Sequence, residues 1–335
     1  LRGRCRLGGL KVPEKYRLPL ILAGSNPGGV GHNWVKRTFV DAAAPRESWR
    51  TPKTEGGMIR QFIPALLEDN PTLLDNDPEY SERLEGLGDP ALIKAMRKGD
   101  WNIVSGGALD DVWSDKLILK RFKIPLGWRL DRSFDWGSSH PFSVGWWAQS
   151  DGTETEDGLW LPAGSLVRIH EWYGTQGIGT NRGLKMSARD IADGIVEQDK
   201  ALIDGEWIES IPKSGPADNQ IRNVIRSDIP TIEQEMAKAG IKWALCDKSP
   251  GSRINGLELL RGRMKSASKE QPEDPGIYFM ENCIAAISLL PTLPRDLKKP
   301  EDVDTNAEDH VYDEIRYRVL AANPQAMQIK MGMTN

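Results

Sequence analysis

The spacing of hydrophobic and polar residues divides the chain into two parts. In the first part, an apolar run at 18–24 (LPLILAG) leads into a glycine-rich turn, which predicts a buried strand. Helical patterns follow at 78–87 and 89–101, and Asp89 followed by Pro90 is typical of a helix start. The first part is therefore predicted to hold a strand and a compact helical region.

The second part begins with three strand patterns and continues with alternating helices and strands. A helix predicted at 187–202 starts at Ser187, and Asp190 three residues later nearly completes a capping box. The other predicted elements are strands at 127–136, 141–149, 165–174, 241–248 and 276–281, and helices at 231–240, 256–267, 283–290 and 309–322. This order predicts an α/β domain with a mixed sheet flanked by helices.

These patterns predict the domain boundaries. Residues 1–118 form the first domain, and the basic, proline-punctuated stretch 119–127 is predicted to be a linker. Residues 128–325 form the second domain, and 326–335 form a tail. We expect the chain to begin inside a longer protein, because it starts with Leu1 and the first residues have a helical pattern.

Composition limits the classes of function. The chain has 335 residues, 39% of them hydrophobic and 27% charged, as expected for a soluble globular protein. Its net charge of −4 means that any contact with nucleic acid needs a local basic patch. Its three distant cysteines support neither a disulfide framework nor a cysteine zinc site, and no apolar run is long enough to span a bilayer. A cytoplasmic location is expected.

Three carboxylates stand out by position. Asp135 ends the first strand of the second domain, Asp218 follows a strand-like run, and Asp313 lies in the last helix. His310 is three residues before Asp313, so these two side chains are neighbours on the helix surface. The buried stripe of that helix is predicted to be Val311, Ile315 and Val319.

Carboxylates and water are the oxygen ligands that Mg²⁺ and Mn²⁺ prefer. Two such ions held together promote phosphodiester hydrolysis. An aspartate at a strand end or helix start is also a common cap or turn residue, so position alone leaves both interpretations open.

Other acidic and histidine residues compete with these candidates. Asp131 has the same strand parity as Asp135, and Asp309 is one helical turn before Asp313. Glu171 ends a strand near the expected cluster and is a candidate supporting residue. His140 and His170 have no metal-ligand spacing and are interpreted as surface or strand residues.

A basic tract follows the strand predicted at 241–248. Basic side chains around such a strand-to-helix turn can neutralise DNA phosphates without reading base sequence. A solvated helix face is the alternative interpretation. The candidate DNA-binding residues are Lys248, Arg253, Arg261, Arg263 and Lys265.

Several motifs occur in the order found in large terminase subunits of tailed bacteriophages, the motors that package DNA into proheads. They are SNPGG, GHNWV, FIPALLEDNPTLLDNDPEYSERLEGL, RKGDWNIVSGG, FDWGSSHPFSV, GPADNQI and EDHVYDEIRY. The chain resembles this family over nearly its whole length, most specifically in the IPALLEDNP run and the DHxxDxxRY helix.

The resemblance implies the C-terminal part of a P-loop-type ATPase domain with a small helical subdomain, followed by a ribonuclease-H-like nuclease domain. It implies that Asp135, Asp218 and Asp313 are the catalytic, metal-binding carboxylates, with His310 as an accessory ligand or proton carrier. SNPGG resembles the coupling motif, in which Ser25 and Asn26 would sense the nucleotide; a plain Asn-Pro-Gly-Gly turn is the alternative. The implied partners are double-stranded DNA, a small terminase subunit, a portal protein and further copies in a ring on the prohead.

The chain departs from the family at one point, since no GxxxxGK[ST] phosphate-binding loop is present. ATP hydrolysis is therefore not expected from this chain alone. The expected function is a two-metal endonuclease using Mg²⁺ or Mn²⁺ in the host cytoplasm. Two alternatives are a non-cleaving DNA-gripping or structural module and another ribonuclease-H-like enzyme, such as a resolvase or transposase, although the latter would not need SNPGG and IPALLEDNP.

Overall fold

The computed structural model divides into two compact units, Leu1–Ser105 and Gly106–Asn335. It describes residues 13, 20–27, 35–53, 56–77, 79–86, 93, 97–101, 107–224, 226–296 and 298–322. None of the helices in these ranges is both long enough and apolar enough to span a bilayer.

The described part of the first unit contains a small hairpin and two short α-helices. Strands β1 (Ser48–Arg50) and β2 (Ile59–Gln61) pair antiparallel. Helix α1 (Pro71–Asn76) begins after Asn70, whose side chain accepts a hydrogen bond from the Leu73 amide. Helix α2 (Tyr80–Glu85) confirms the helix predicted at 78–87. Most of the helix predicted at 89–101 lies outside the described residues.

The strand predicted at 18–24 is wrong over its described part. Residues 20–24 have no regular structure and are exposed, with Leu22 87% accessible. An apolar run is stable as a strand only when another strand pairs with it and other side chains cover it. No strand in the described ranges pairs with residues 20–24.

The second unit is built on a seven-stranded mixed sheet with the order β3-β9-β6-β5-β4-β7-β8. Strand β5 is antiparallel to both β4 and β6, whereas β4, β7 and β8 are parallel. The second unit is thus a mixed sheet flanked by helices, as predicted. The strands are β3 (Ile118–Leu119), β4 (Arg129–Asp135), β5 (Ser143–Gln149), β6 (Leu166–Tyr173), β7 (Pro216–Ala217), β8 (Ala244–Leu245) and β9 (Ile277–Met280).

Five helices flank this sheet at the places that the sequence pattern predicts. They are α3 (Ala188–Asp204), α4 (Ile232–Lys238), α5 (Ser252–Ala267), α6 (Ile284–Leu289) and α7 (His310–Ala321). The capping box of Ser187 and Asp190 starts α3. The predicted stripe of Val311, Ile315 and Val319 is fully buried where α7 packs on β4 and β5.

The division between the units differs from the predicted linker at 119–127. Leu119 ends β3, which pairs in parallel with β9 at the edge of the large sheet. The Glu281 amide extends this pairing with a hydrogen bond to the Leu119 carbonyl. The whole stretch 119–127 therefore belongs to the second unit, and its first residue ends an edge strand. A two-residue strand has too little alternation to be recognised from sequence.

A buried ion pair anchors α7 to the sheet. Arg168 on β6 and Glu314 on α7 are both completely buried and form a salt bridge. Ser133 and the Trp147 indole also donate hydrogen bonds to Glu314. The close approach requires Gly145 on β5, since a methyl group there would overlap the Glu314 and Arg168 side chains. A buried carboxylate is stable only with its partners in place. The contacts of Glu314 therefore hold α7 against the sheet.

Candidate functional site

The carboxyl ends of two adjacent parallel strands bring two of the predicted aspartates together. Asp135 is the last residue of β4, and Asp218 directly follows β7. Phe134 and Ala217 are register partners, and the Asp218 amide donates to the Phe134 carbonyl at 3.0 Å. Parallel strands point their carboxyl ends to one edge of the sheet, where ligand sites are commonly formed. Both aspartates are almost fully buried there.

Helix α7 reaches this edge with its first two turns. His310 Nδ1 lies 3.3 Å from Asp135 Oδ2, and the Tyr317 hydroxyl donates to Asp135 Oδ1 at 3.2 Å. His310, Asp313 and Tyr317 are spaced by three and four residues, so they share one face of the helix. Asp309 immediately precedes α7 and is also buried.

The carboxylates influence one another electrostatically. Burial, together with the negative charges of Asp313 and Asp218, raises the pKa of Asp135 to about 6, although the His310 hydrogen bond opposes this. Burial and the charges of Asp313 and Asp135 raise the pKa of Asp309 to about 7. The acid cluster, defined as Asp135, Asp218, Asp309 and Asp313, is therefore an electronegative site that favours cations.

Basic side chains already neutralise parts of the acid cluster. Lys248 Nζ lies 2.6 Å from Asp218 Oδ1. Asp313 accepts hydrogen bonds from Arg253 Nη1 at 3.2 Å and from Arg316 Nε at 3.1 Å. Two of the residues predicted to bind DNA, Lys248 and Arg253, thus lie at the cluster itself.

The raised pKa of Asp309 gives a testable pH dependence. The unfolded chain loses this proton near the ordinary value of 3.8 and the folded chain near 7, so stability falls as pH rises between these values. Asp309→Asn removes the ionisable group and, with it, this loss of stability at high pH. In EDTA at pH 8 we expect the free energy of unfolding to rise by on the order of 1–3 kcal/mol.

The measurement is thermal unfolding from pH 4 to pH 8 in EDTA. The gain should shrink as pH falls and vanish near pH 4. The exposed Asp157→Asn serves as a matched control, with a melting temperature near that of the wild type at every pH. A variant Asp309→Asn that is no more stable than the wild type at pH 8 would contradict the expectation.

A loop between β6 and α3 supplies Asn181, a residue of the site that the sequence analysis did not identify. Asn181 Oδ1 lies 3.1 Å from His310 Nε2 and 3.4 Å from His140 Nδ1. His140 is exposed, as predicted, and its ring lies 5.7 Å from that of His310. Asn181 has a positive φ of 50°, a conformation that asparagine tolerates better than most residues. No spacing rule links it to His310, 129 residues away.

Both nitrogens of His310 face oxygen atoms, one on Asp135 and one on Asn181. Burial opposes the charged ring, but the hydrogen bond to Asp135 and the negative charges of Asp135, Asp309 and Asp313 together outweigh it and raise the pKa of His310. A doubly protonated ring has no lone pair to offer a metal. This arrangement suits the role of proton carrier better than that of ligand.

The other three residues predicted to bind DNA are on α5, as Arg253 is, but have other surroundings. Arg261 is buried and forms a two-point ion pair with Asp111. Arg263 donates to the carbonyls of Gly164 and Gly276. Lys265 is exposed. Arg261 therefore pairs with a carboxylate and Arg263 bonds backbone carbonyls within the fold, and this geometry does not support their role in binding DNA.

The remaining candidates lie apart from the acid cluster. Asp131 is buried in a salt bridge with Arg318, at 2.5 Å. Glu171 accepts hydrogen bonds from the first amides of α6, and His170 pairs with Gln198 at 2.7 Å. In the first unit, Ser25 and Asn26 are exposed and outside regular structure. Asp131 therefore has a structural partner, whereas Asp135 faces the acid cluster.

The residues that could hold a metal ion are the carboxylates of the acid cluster. Across the described ranges, no three His, Cys, Asp or Glu side chains are close enough to hold an ion in this arrangement. Lys248, Arg253 and Arg316 take up carboxylate oxygens instead. The donor type suits Mg²⁺ or Mn²⁺, but the basic groups must give up at least one carboxylate oxygen first.

Comparisons with solved structures find similarity to large terminases of bacteriophages. No family model matches the chain, and a search of the curated proteins finds no match. The structure is similar to the large terminase of a thermophilic bacteriophage, with 15% identity and a TM-score of 0.45 over 88% of this chain. The chain spans about three fifths of that protein, 61% of its length.

Two solved nuclease structures are similar to a smaller share of the chain. The P22 large terminase nuclease domain has 12% identity and a TM-score of 0.43, covering 62% of this chain and 89% of that one. The large terminase nuclease of the thermophilic phage G20c, with bound cobalt, has 11% identity and a TM-score of 0.37, covering 64% and 96%. These three structures are large terminases or their nuclease domains.

Proposed function

We propose that this chain is part of a phage large terminase subunit and that its second unit is a metal-dependent endonuclease acting on double-stranded DNA. One observation carries the proposal. Asp135, Asp218 and Asp313 come from distant parts of the chain: paired strands β4 and β7 bring the first two together, α7 packs on both strands, and the charges of Asp313 and Asp218 raise the pKa of the buried Asp135. The order of the sequence motifs adds independent support.

The donor set fits a hard divalent ion in its chemistry. Asp135, Asp218 and Asp313 would hold Mg²⁺ or Mn²⁺, and Asp309 is near enough to Asp313 for that charge to raise the pKa of Asp309. Two bound ions would supply water activation and stabilise the charge on the phosphate and leaving oxygens. The buried, mutually repelling carboxylates favour such ions, because a cation relieves both the repulsion and the cost of burial.

The chain's own residues would orient the carboxylates and handle the proton. The Tyr317 hydroxyl holds one oxygen of Asp135, and Arg316 holds Asp313 from within α7. His310 lies against the other oxygen of Asp135, where it can take up or release a proton.

The proposal extends to the rest of the packaging motor. Ser25 and Asn26 would couple nucleotide state to the motor in the complete protein, and this chain alone would not hydrolyse ATP, since it has no phosphate-binding loop. The proposed partners are DNA, the small terminase subunit, the portal protein and further copies in a ring, in the host cytoplasm. Lys265 is a candidate DNA contact because it is exposed.

Cleavage of supercoiled plasmid in Mn²⁺ tests this function. We expect the wild type to nick and linearise the plasmid, EDTA to stop the reaction, and Asp313→Ala to reduce it by at least about 100-fold. Asp157→Ala, at an exposed loop aspartate, serves as the control and should cleave like the wild type. Equal cleavage by wild type and Asp313→Ala would indicate a contaminating nuclease and reject the proposal.

A non-cleaving DNA-gripping module is the second candidate. The observation that favours it is that Lys248 and Arg253 already pair with the acid cluster. Such a module would bind duplex DNA in EDTA and leave it intact in Mn²⁺. Cleavage by the wild type, lost in Asp313→Ala, excludes this candidate.

A further inference from the structure

Lys248 lies just beyond the end of β8, at the edge of the sheet that carries the acid cluster. Strands β4, β7 and β8 are parallel neighbours, and Asp135, Asp218 and Lys248 each lie at or just beyond one of their carboxyl ends. The Asn219 side chain holds the ends of β7 and β8 together, because it donates to the Cys246 carbonyl and accepts from the Cys246 amide, both at 3.1 Å. The loop bearing Lys248 is therefore held beside Asp218.

The Lys248 ammonium group contacts Asp218 and lies near Tyr317 of α7. Lys248 Nζ is 2.6 Å from Asp218 Oδ1 and 5.3 Å from the centre of the Tyr317 ring. The hydroxyl of the same ring donates to Asp135. The positive charge thus lies at the Asp218 carboxylate, beside the ring whose hydroxyl bonds Asp135.

We propose that Lys248 is an exchangeable counter-cation of Asp218, which neutralises this carboxylate in the ion-free protein and releases it when a divalent ion binds. This inference rests on the proposed metal-dependent function. A divalent ion bound to Asp218 would take up the negative charge that the ammonium now balances, and the two cations would repel each other. Ammonium and metal therefore compete for the Asp218 carboxylate, and Lys248 keeps its proton throughout.

The contrast with Arg253 indicates which cation exchanges. Arg253 Nε bonds both oxygens of Asp302, at 3.1 and 2.9 Å, while Nη1 bonds Asp313. Lys248 has a single hydrogen-bond acceptor among the described residues, and its side chain is 36% exposed. A single, partly solvated contact costs little to break, whereas a guanidinium held by two carboxylates is much harder to remove.

Manganese affinity and ion-free stability test the inference, through titration calorimetry and thermal unfolding in EDTA. The variants are Lys248→Met, Lys248→Arg and the control Lys242→Met, at an exposed lysine in the same segment. We expect Lys248→Met to bind Mn²⁺ about tenfold more tightly than the wild type and to melt at a lower temperature in EDTA. Lys248→Arg and Lys242→Met should stay within about threefold of the wild-type affinity.

Two results would overturn the inference. One is a Lys248→Met affinity equal to or weaker than that of the wild type, as expected if Lys248 serves only DNA phosphates. The other is a tenfold gain in Lys248→Arg, which would assign the effect to the loop and not to the charge.

Asp218→Asn separates this inference from the proposed function. We expect this variant to lose Mn²⁺ binding. If the wild type binds no more Mn²⁺ than Asp218→Asn does, the metal site fails and the lysine inference fails with it. If the wild type binds Mn²⁺ and Lys248→Met binds it equally well, only the lysine inference fails.

Discussion

Asp135→Asn is expected to lower DNA cleavage by about 10³-fold or more, which corresponds to about 4 kcal/mol of transition-state stabilisation. The amide keeps the size of the carboxylate, so the fold should persist. It loses the negative charge, and one of the two oxygens that face His310 and Tyr317 becomes an NH₂ group. The measurement is single-turnover cleavage of a duplex in Mn²⁺, with folding checked by circular dichroism.

Asp131→Asn is the matched control, because Asp131 lies on the same strand with the same parity. Its carboxylate pairs with Arg318 inside the fold. We expect this variant to lose stability but to cleave at near the wild-type rate per folded molecule. A loss of rate in Asp131→Asn with Asp135→Asn unaffected would show that Asp131, and not Asp135, is the reactive aspartate of β4.

Arg168→Met is expected to destabilise the second unit by about 3–5 kcal/mol, because it leaves the Glu314 charge buried without its cation. The serine and tryptophan donors cannot supply the missing charge. The double variant Arg168→Met/Glu314→Gln should recover part of the loss, since it removes the orphaned charge as well. Urea unfolding followed by tryptophan fluorescence measures both.

The control is Arg189→Met, which breaks an exposed pair with Asp193 on α3. Surface pairs of this kind contribute roughly 0–1 kcal/mol, so its midpoint should barely move. A change of less than about 1 kcal/mol in Arg168→Met would show that the buried pair does not hold α7 in place.

Long elements with strong periodicity were predictable from sequence. The helices α3, α5 and α7 and the strands β4, β5 and β6 fall where alternation and capping predict them. The two-residue strands β3, β7 and β8 carry too little pattern to define their ends. The apolar run at 18–24 was instead predicted as a strand where its described part forms none. Hydrophobic residues favour burial, but a strand also needs neighbouring strands to pair with.

The proximity of the acid cluster was predictable only in part. Asp135 and Asp218 at strand ends and Asp313 on a helix are visible as positions, and the family resemblance joins them. The partners that act on them come from remote segments. Lys248 reaches Asp218 only because β8 pairs with β7, and Asn181 reaches His310 through an irregular loop. A single sequence contains no signal for such tertiary contacts.

The Arg168 and Glu314 pair also limits how the protein can vary. If α7 slid or rotated by one residue, Glu314 would leave its partners and Arg168 would lose its counter-charge, so the helix has one permitted setting. The same ion pair therefore also fixes the positions of His310, Asp313 and Tyr317 on this helix. Insertions or deletions before Asp309 must then be accommodated by the connecting loop. This loop can change in length while the reactive side chains keep their positions.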